Sequence, residues 1–418
     1  MKALLGADLI DGTGGPVLIN SAVLIDGERI IEVGPKAAVS LPPGTEEIDL
    51  SGLTLLPGLI DTHDHLASKN YSLISRWEIE EPASLNHLKT AKAIEDSLAA
   101  GYTCIRDAGG LDAGFKFAVE QGIIQGPRLL TSVAIVSPNG GIGDRVAPSG
   151  HRNAFNNDPM QPNGVANGPN EIRALVRELV RVGADVIKFA TTGGASSRAG
   201  HGPKDIAFGI DEIKALVEEA KSQEKYTMCH AVGGPGLRMC IEAGVGSVEH
   251  ACYLAEDPDL AKIMADKNIF FTPTFEVYEF HSTISAPHVI ERTKQLMQIH
   301  QESLHMAVSA GVKVSSGTDA GGFVHGDNAR EIELMVERGL SNMQAIQTAT
   351  GWAAECIGRE KEFGTVKPGL YADFLVVDGD PLKNVSVLRN KDLIKMVMKG
   401  GNAYINNLPA REPQSIGD

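Results

Sequence analysis

The sequence predicts an α/β fold, a (β/α)8 TIM barrel with a small β-sandwich domain formed by the N- and C-terminal segments. Three observations lead to this prediction. Apolar, β-branched runs alternate with amphipathic stretches through the middle of the chain, as repeated strand–helix units do. There are eight such runs within about 300 residues, which is typical of a (β/α)8 barrel. Both chain ends instead show short alternating strands broken by Gly and Asp-Gly turns.

We divide the chain into three segments. Residues 1–55 and 361–418 are expected to build the β-sandwich, and residues 56–360 the catalytic barrel. The predicted barrel strands are 59–63, 103–107, 129–136, 185–190, 226–230, 246–250, 269–275 and 312–319. A doubly wound open sheet is the structural alternative, because periodicity alone does not distinguish it from a closed barrel.

Composition narrows the class of protein and its partners. The 418 residues are 43% hydrophobic and 22% charged, which is ordinary for a globular protein. A net charge of −15 argues against nucleic acid and anionic membranes as partners, since both require basic patches. The five cysteines form no CxxC pair, so neither a disulfide framework nor a cysteine zinc site is supported.

The sequence also leads to expectations about the cellular compartment and the assembly of the protein. Reduced thiols, the lack of a signal-peptide pattern and the lack of an apolar run of roughly 18–20 residues lead us to expect a cytoplasmic protein. We expect a small-molecule substrate and a homo-oligomer, with neither nucleic acid nor membrane as a partner.

Polar residues stand at or near the C-terminal ends of the predicted strands, where a barrel carries its active site, with Lys188 inside the fourth strand. They are His63, His65, Lys188, His230, His250 and Asp319. His63 and His65 are two residues apart, so their rings face the same side of a strand and can hold one ion. Taken singly, a histidine of this kind is as often a buried structural residue as a ligand. The joint placement of the six favours a metal centre.

Lys188 and Asp319 each have two interpretations. Lys188 lies between Ile187 and Phe189, and lysine is almost never buried without a partner. It either reaches solvent from an outward-facing position or reacts with CO2 to give a carbamate that bridges two metal ions. Asp319 lies in a glycine-rich run and either caps a helix or acts as a metal-bound general base.

The chain resembles the amidohydrolase superfamily, and within it the prolidase-like, imidazolonepropionase-related branch. The matching stretches are LPGLIDTHDHL, DVIKFATTGG, FGIDEIKALVEEAKSQ, CHAVGGPGLRMCIEAGVGSVEHA, FFTPTF, GTDAGGFVHGDNARE and GTVKPGLYADFLVVDGDPL. The resemblance covers essentially the whole chain. It implies two divalent metal ions, with zinc expected, held by His63, His65, His230, His250 and Asp319 and bridged by carboxylated Lys188. Asp319 would be the catalytic base.

Two departures from this pattern concern the substrate pocket. Relatives that cleave dipeptides often have Gly-Gly-His-Gly after the third strand, where this chain has Ile142 in place of histidine. They often have Tyr or His two places after the fifth-strand ligand, where this chain has Val232. Both changes predict a more apolar pocket. Arg152, in the long predicted loop 137–168, and His325, after the eighth strand, are further candidate substrate contacts.

The expected reaction is hydrolysis of an amide C–N bond in a small N-acyl amino acid or dipeptide-like compound. Hydrolysis of non-peptide aryl amides, carbamates, ureas or esters is the alternative. Deamination is disfavoured, because the deaminases of the superfamily carry HxxE where this chain has His230 followed by Ala-Val-Gly. A centre with one metal ion stays open, as does a non-catalytic assembly protein.

Overall fold

The computed structural model describes residues 1–68, 81–144, 146, 161–197, 201–323 and 325–409. The N-terminal part forms short strands. They are β1 (Lys2–Leu5), β2 (Asp8–Leu9), β3 (Ser21–Asp26), β4 (Arg29–Pro35), β5 (Glu46–Asp49) and β6 (Thr54–Pro57).

The middle of the chain alternates strands with helices. Its strands are β7 (Leu59–Asp64), β8 (Tyr102–Asp107), β9 (Arg128–Leu130), β10 (Ile135–Val136), β11 (Val186–Ala190), β12 (Tyr226–Ala231), β13 (Ser247–His250) and β14 (Phe270–Thr272). Its helices are α1 (Ala83–Ala99), α2 (Ala113–Glu120), α3 (Gly168–Arg181), α4 (Ile210–Ser222), α5 (Gly234–Ala243), α6 (Pro258–Asp266), α7 (Phe275–His281), α8 (Pro287–Ser309), α9 (Ala329–Glu337), α10 (Asn342–Thr348) and α11 (Gly351–Cys356). The C-terminal strands are β15 (Phe374–Val377), β16 (Ile394–Lys399) and β17 (Asn402–Asn406).

Parallel strands form a barrel, and a segment with few ladder hydrogen bonds closes it. β7–β8–β9 form one parallel sheet and β10 to β14 another. The chain at 313–320 lies between β14 and β7, since Phe271 N donates to the carbonyl of Lys313 at 3.0 Å and Asp319 N donates to that of His63 at 2.7 Å. This segment takes the place of the eighth strand. The predicted (β/α)8 barrel is confirmed, and the chain does not form the alternative open sheet.

Two predicted strands are shorter in the structure, for backbone reasons. The predicted strand 129–136 is divided into β9 and β10, because Val133 between them has a φ of 66° that no strand accommodates. The predicted strand 269–275 ends early as β14. Pro273 has no N–H to give to a ladder, and Thr274 has a φ of 56°.

Both chain ends build the β-rich part of the fold. One sheet has the order β4-β3-β1-β5 and the other β17-β16-β15-β6-β2, so β6 near the barrel pairs with β15 from the far end of the sequence. Leu4, Val23, Leu55, Phe374 and Met396 are buried in one shared cluster, and each large apolar side chain contributes about 1.5–3 kcal/mol by leaving water. The additional β-rich domain is thus confirmed, while its limits at 55/56 and 360/361 stay predictions.

Within the described ranges, every helix is too short or too polar to traverse a lipid bilayer.

Candidate metal centre

His63, His65, Asp319 and Lys188 meet at the C-terminal mouth of the barrel. The Nε2 atoms of His63 and His65 lie 3.5 and 3.2 Å from Oδ1 of Asp319. Ligand atoms of these three residues all lie within 4.8 Å of one another. The Nζ atom of Lys188, from β11, lies 3.4 Å from Nε2 of His63. The structure therefore brings together four residues that the sequence spreads over 257 positions.

The two remaining histidines lie beside this group. The ring centroids of His230 and His250 are 4.4 Å apart, and those of His63 and His250 are 5.1 Å apart. His250 and Asp319 have φ values of 74° and 56°, a left-handed conformation that costs a non-glycine residue on the order of 1–3 kcal/mol. Such strain is tolerated where surrounding contacts fix a functional side chain. All six residues predicted from the strand ends thus lie at one site.

In each of the four histidines, one ring nitrogen is hydrogen-bonded to another part of the protein. The pairs are His63 Nδ1 with Glu249 Oε2 at 2.7 Å, His65 Nδ1 with the Gly109 carbonyl at 2.8 Å, His230 Nε2 with the Gly193 carbonyl at 3.1 Å, and His250 Nδ1 with Thr274 Oγ1 at 2.7 Å. Since the Thr274 hydroxyl donates to the Pro273 carbonyl, it must accept from His250. Bonds of this kind fix the tautomer and turn the second nitrogen toward a metal.

Glu249 anchors His63 from inside the barrel. This carboxylate has no solvent exposure, and it accepts hydrogen bonds from the Ser247 hydroxyl and from Nη2 of Arg106 at 3.2 Å. Burial would raise the pKa of Glu249, but the Arg106 charge and the bond to His63 lower it to about 2. The ionised carboxylate therefore holds Nδ1 of His63 as a donor and leaves Nε2 as the metal-facing lone pair.

The charge states of His230, His250 and Asp319 suit a divalent metal. Burial and the Lys188 charge lower the pKa of His230 to about 3, and burial and the His230 charge lower that of His250 well below its usual value. Burial would raise the pKa of Asp319, but His63 holds it well below its usual range. Neutral imidazoles and an ionised carboxylate are the forms that zinc-type ions bind.

Lys188 is buried with 1% exposure. Burial lowers the pKa of its amine, although Glu249 and Asp319 oppose the change. Among the described residues no carboxylate forms an ion pair with its Nζ. A lowered pKa eases loss of the ammonium proton, and the free amine is a suitable nucleophile for CO2; the carbamate would give two oxygen ligands where the ammonium would repel cations. The residues present therefore fit the expected metal group.

The predicted substrate contacts lie in different surroundings. Ile142 is half-buried beside Gly194, and Val232 is fully buried in an apolar cluster with Cys252 and Tyr278. His325 is 7% exposed, and its Nε2 lies 3.1 Å from Oδ1 of Asp64.

Asp64 alternates with His63 and His65, so His325 lies on the opposite side of the strand from these ligands. Arg152 falls outside the described residues, as do residue 145 and the rest of 147–160 in the 137–168 loop. All four substrate contacts stay predictions.

Sequence reasoning missed Glu249, Arg106 and Thr274 as partners of the histidines. A signal was available for Glu249, which stands inside a buried strand directly before a candidate ligand. Charged residues are almost never fully buried unless they are paired. The identity of the pair, however, depends on a contact between residues 186 positions apart.

Comparison with known proteins identifies the family. The amidohydrolase family model matches residues 54–404. The ochratoxinase of Aspergillus niger is 30% identical over 418 residues, covering 95% of this chain and 85% of the relative. Its crystal structure superimposes with a TM-score of 0.87 at 29% identity, covering 97% of this chain and 95% of the other.

Two further relatives place the chain within the family. A prolidase crystallised with N-methylphosphonate-L-proline has a TM-score of 0.89 at 30% identity, covering 97% of this chain and 99% of the other. Imidazolonepropionase from Arthrobacter sp. (strain FB24) is 25% identical over 251 residues, 57% of each chain. The predicted resemblance to this branch is confirmed, and the chain is a hydrolase that belongs to the amidohydrolase family.

Proposed function

We propose that the protein is a metal-dependent hydrolase that cleaves the amide C–N bond of a small N-acyl amino acid or dipeptide-like compound. The observation that carries the proposal is the orientation of the four histidines. Each has one ring nitrogen bonded to a protein partner, and the second nitrogens of His63 and His65 lie 3.5 and 3.2 Å from Oδ1 of Asp319. Similarity to a prolidase and to an ochratoxinase supports the choice of reaction.

The proposed cofactor is a pair of divalent ions, with zinc expected. His63, His65, His230, His250 and Asp319 would hold them, and carboxylated Lys188 would bridge them. Bound ions of this kind lower the pKa of a coordinated water toward 7 and polarise a carbonyl oxygen. The donor set of imidazole nitrogens and carboxylate oxygens fits zinc, manganese, cobalt and iron.

Asp319 is the proposed general base. It stands beside both His63 Nε2 and His65 Nε2, and its carboxylate is ionised, the form that a general base needs. It would take a proton from the attacking water and pass it to the departing nitrogen, since an amine leaves only when protonated. Glu249 and Thr274 keep the rings of His63 and His250 oriented during this transfer.

A second candidate is hydrolysis of aryl amides, carbamates, ureas or esters. The observation in its favour is the apolar cluster beside the centre, where the ring of Tyr278 lies 6.1 Å from that of His250 and where Tyr253, Met297 and Phe323 at the edge are only partly buried. An apolar wall of this kind accommodates an aromatic group as readily as an amino-acid side chain.

The test compares metal-free and metal-loaded protein on mixed substrates. Protein stripped with a chelator is reloaded with zinc or manganese and incubated with dipeptides, N-acyl amino acids and aryl amides, and products are identified by mass spectrometry. We expect cleavage of N-acyl amino acids or dipeptides by loaded protein and none by stripped protein or by His230→Ala. Cleavage of aryl amides alone would favour the second candidate, and equal cleavage by stripped and loaded protein would exclude metal dependence.

A further inference from the structure

Arg292 lies on α8 beside the apolar cluster at the barrel mouth. It precedes Leu296 by four residues, so the two side chains share a face of the helix. Leu296 is fully buried in the cluster that contains Val232 and Tyr278. Burial raises the pKa of the Tyr253 phenol, and the positive charge of Arg292 opposes the change. Arg292 is thus a half-buried residue at the edge of an apolar cluster.

One nitrogen of Arg292 holds the loop that follows β11. Its Nη1 lies 3.3, 3.0 and 3.2 Å from the carbonyl oxygens of Gly194, Ala195 and Ser197. This loop adjoins the metal centre, because a Cβ placed on Gly194 would lie 3.1 Å from Cε1 of His230. Arg292 is therefore separated from a proposed metal ligand by a single glycine.

The remaining donors of Arg292 have no protein partner within the described chain. Nη1 makes all three hydrogen bonds to the loop, while Nε and Nη2 make none there, and no carboxylate of the described residues forms an ion pair with the group. A guanidinium carries five N–H donors in a planar fork. A partly desolvated cation among apolar side chains is costly unless an anion pairs with it.

We propose that Arg292 binds the free carboxylate of the substrate, and that the departing part of the substrate is an apolar α-amino acid. The inference rests on the proposed amide hydrolysis. The planar fork matches a carboxylate through two parallel hydrogen bonds. Tyr253, Met297 and Phe323, the partly buried residues at the edge of the cluster of Val232 and Tyr278, receive the apolar side chain of the same amino acid. Arg292 thus supplies the carboxylate anchor that the chain lacks at Ile142 and Val232.

The kinetic test uses a matched pair of substrates. N-acetyl-L-leucine and N-acetyl-L-leucinamide differ only in the carboxylate, and release of leucine or leucinamide is measured for wild type, Arg292→Gln and Arg292→Lys. Glutamine keeps an N–H2 donor for the loop carbonyls but loses the charge and the fork. We expect Arg292→Gln to raise KM for N-acetyl-L-leucine about 10- to 100-fold with little change in kcat, and to leave the leucinamide substrate unchanged. The KM of Arg292→Lys for N-acetyl-L-leucine is expected to lie between those of wild type and Arg292→Gln.

An equilibrium test separates this inference from the proposed reaction. Calorimetry measures binding of L-leucine and of L-leucinol, which has an alcohol in place of the carboxylate, and needs no turnover. We expect wild type to prefer leucine by about tenfold or more, Arg292→Gln to lose that preference, and Arg238→Gln, a surface arginine paired with Asp257, to keep it.

Defined results would overturn the proposal. Equal binding of leucine and leucinol by wild type, or binding of neither, contradicts a carboxylate site. An equal loss of kcat/KM on both substrates in Arg292→Gln would mean that Arg292 acts only by holding the loop. Absence of hydrolysis together with a leucine preference that depends on Arg292 would contradict the proposed reaction and leave the anchor intact.

Discussion

The Nδ1 atom of His63 lies 2.7 Å from Oε2 of Glu249 in the interior of the barrel, and both side chains are at most 1% exposed. The second oxygen of the same carboxylate faces Arg106, whose Nη2 lies 3.2 Å away. One carboxylate therefore compensates a buried guanidinium and orients a proposed metal ligand. Removing its charge affects both partners.

We predict that Glu249→Gln weakens metal binding about 10- to 100-fold, because an amide no longer fixes the tautomer of His63. It should also lower stability by roughly 3–5 kcal/mol, since Arg106 is left buried without a counter-charge. Metal affinity is measured by competition with a chromogenic chelator, and stability by urea unfolding of the metal-free protein. Glu218→Gln, at an exposed ion pair with Arg173, is the control. Unchanged metal affinity in a folded Glu249→Gln protein would contradict the orienting role.

Asp319→Asn should keep the fold and much of the bound metal while turnover falls about 10²- to 10⁴-fold, the usual contribution of a positioned base. The amide retains a ligand oxygen near His63 and His65 but does not accept a proton at neutral pH. Initial rates and metal content by atomic emission are measured on the same preparation. A variant with wild-type rates would exclude Asp319 as the general base.

Much of the site followed from the sequence because a barrel converts strand order into spatial proximity. His63, Lys188, His230 and His250 each stand at or near the end of an apolar run, so the C-terminal mouth of a closed barrel necessarily collects them. The same reasoning placed the eight barrel segments in order. The local sequence pattern was sufficient to predict a site residue wherever the end of a strand determines the position of that residue.

What the sequence did not reveal depends on contacts between distant residues or on single backbone angles. The Glu249–Arg106 pair joins charged residues of two strands that are far apart in the sequence. The Arg292 contact joins α8 to a loop 95 or more residues earlier. Neither contact produces a periodic pattern in the sequence. The break at Val133 arises from one positive φ, for which a β-branched residue gives no warning.

Lys188 should carry a carbamate in the metal-loaded protein. Native mass spectrometry is expected to detect a mass gain of one CO2, and Lys188→Met should lack it and bind fewer metal ions. Loading in bicarbonate-depleted buffer should likewise reduce the metal stoichiometry of wild type, since the neutral amine supplies no bridging oxygens. Lys204→Met, at an exposed lysine paired with Glu256, should retain both the adduct and the stoichiometry. Full metal content on an unmodified Lys188 would contradict the bridge.

The carboxylate of Glu331 accepts the backbone N–H groups of Phe275 and Glu276 at 2.9 and 2.8 Å, and so fixes the start of α7. Burial raises its pKa from 4.5 to about 7, although the two backbone bonds oppose the change. Between these values the folded chain holds a proton that the unfolded chain releases. Stability from this residue is therefore present below pH 4.5 and lost as pH rises through 7.

A glutamine at position 331 does not titrate. We predict that the unfolding free energy of Glu331→Gln minus that of wild type increases by on the order of 3 kcal/mol from pH 5 to pH 8. Urea unfolding of the metal-free proteins at pH 5, 6, 7 and 8 measures this difference, with Glu218→Gln as the exposed control. The absolute stability of the variant is lower at pH 5, because an amide replaces one of two acceptor oxygens with a donor. Parallel pH profiles for Glu331→Gln and wild type would mean that Glu331 ionises normally in the folded protein.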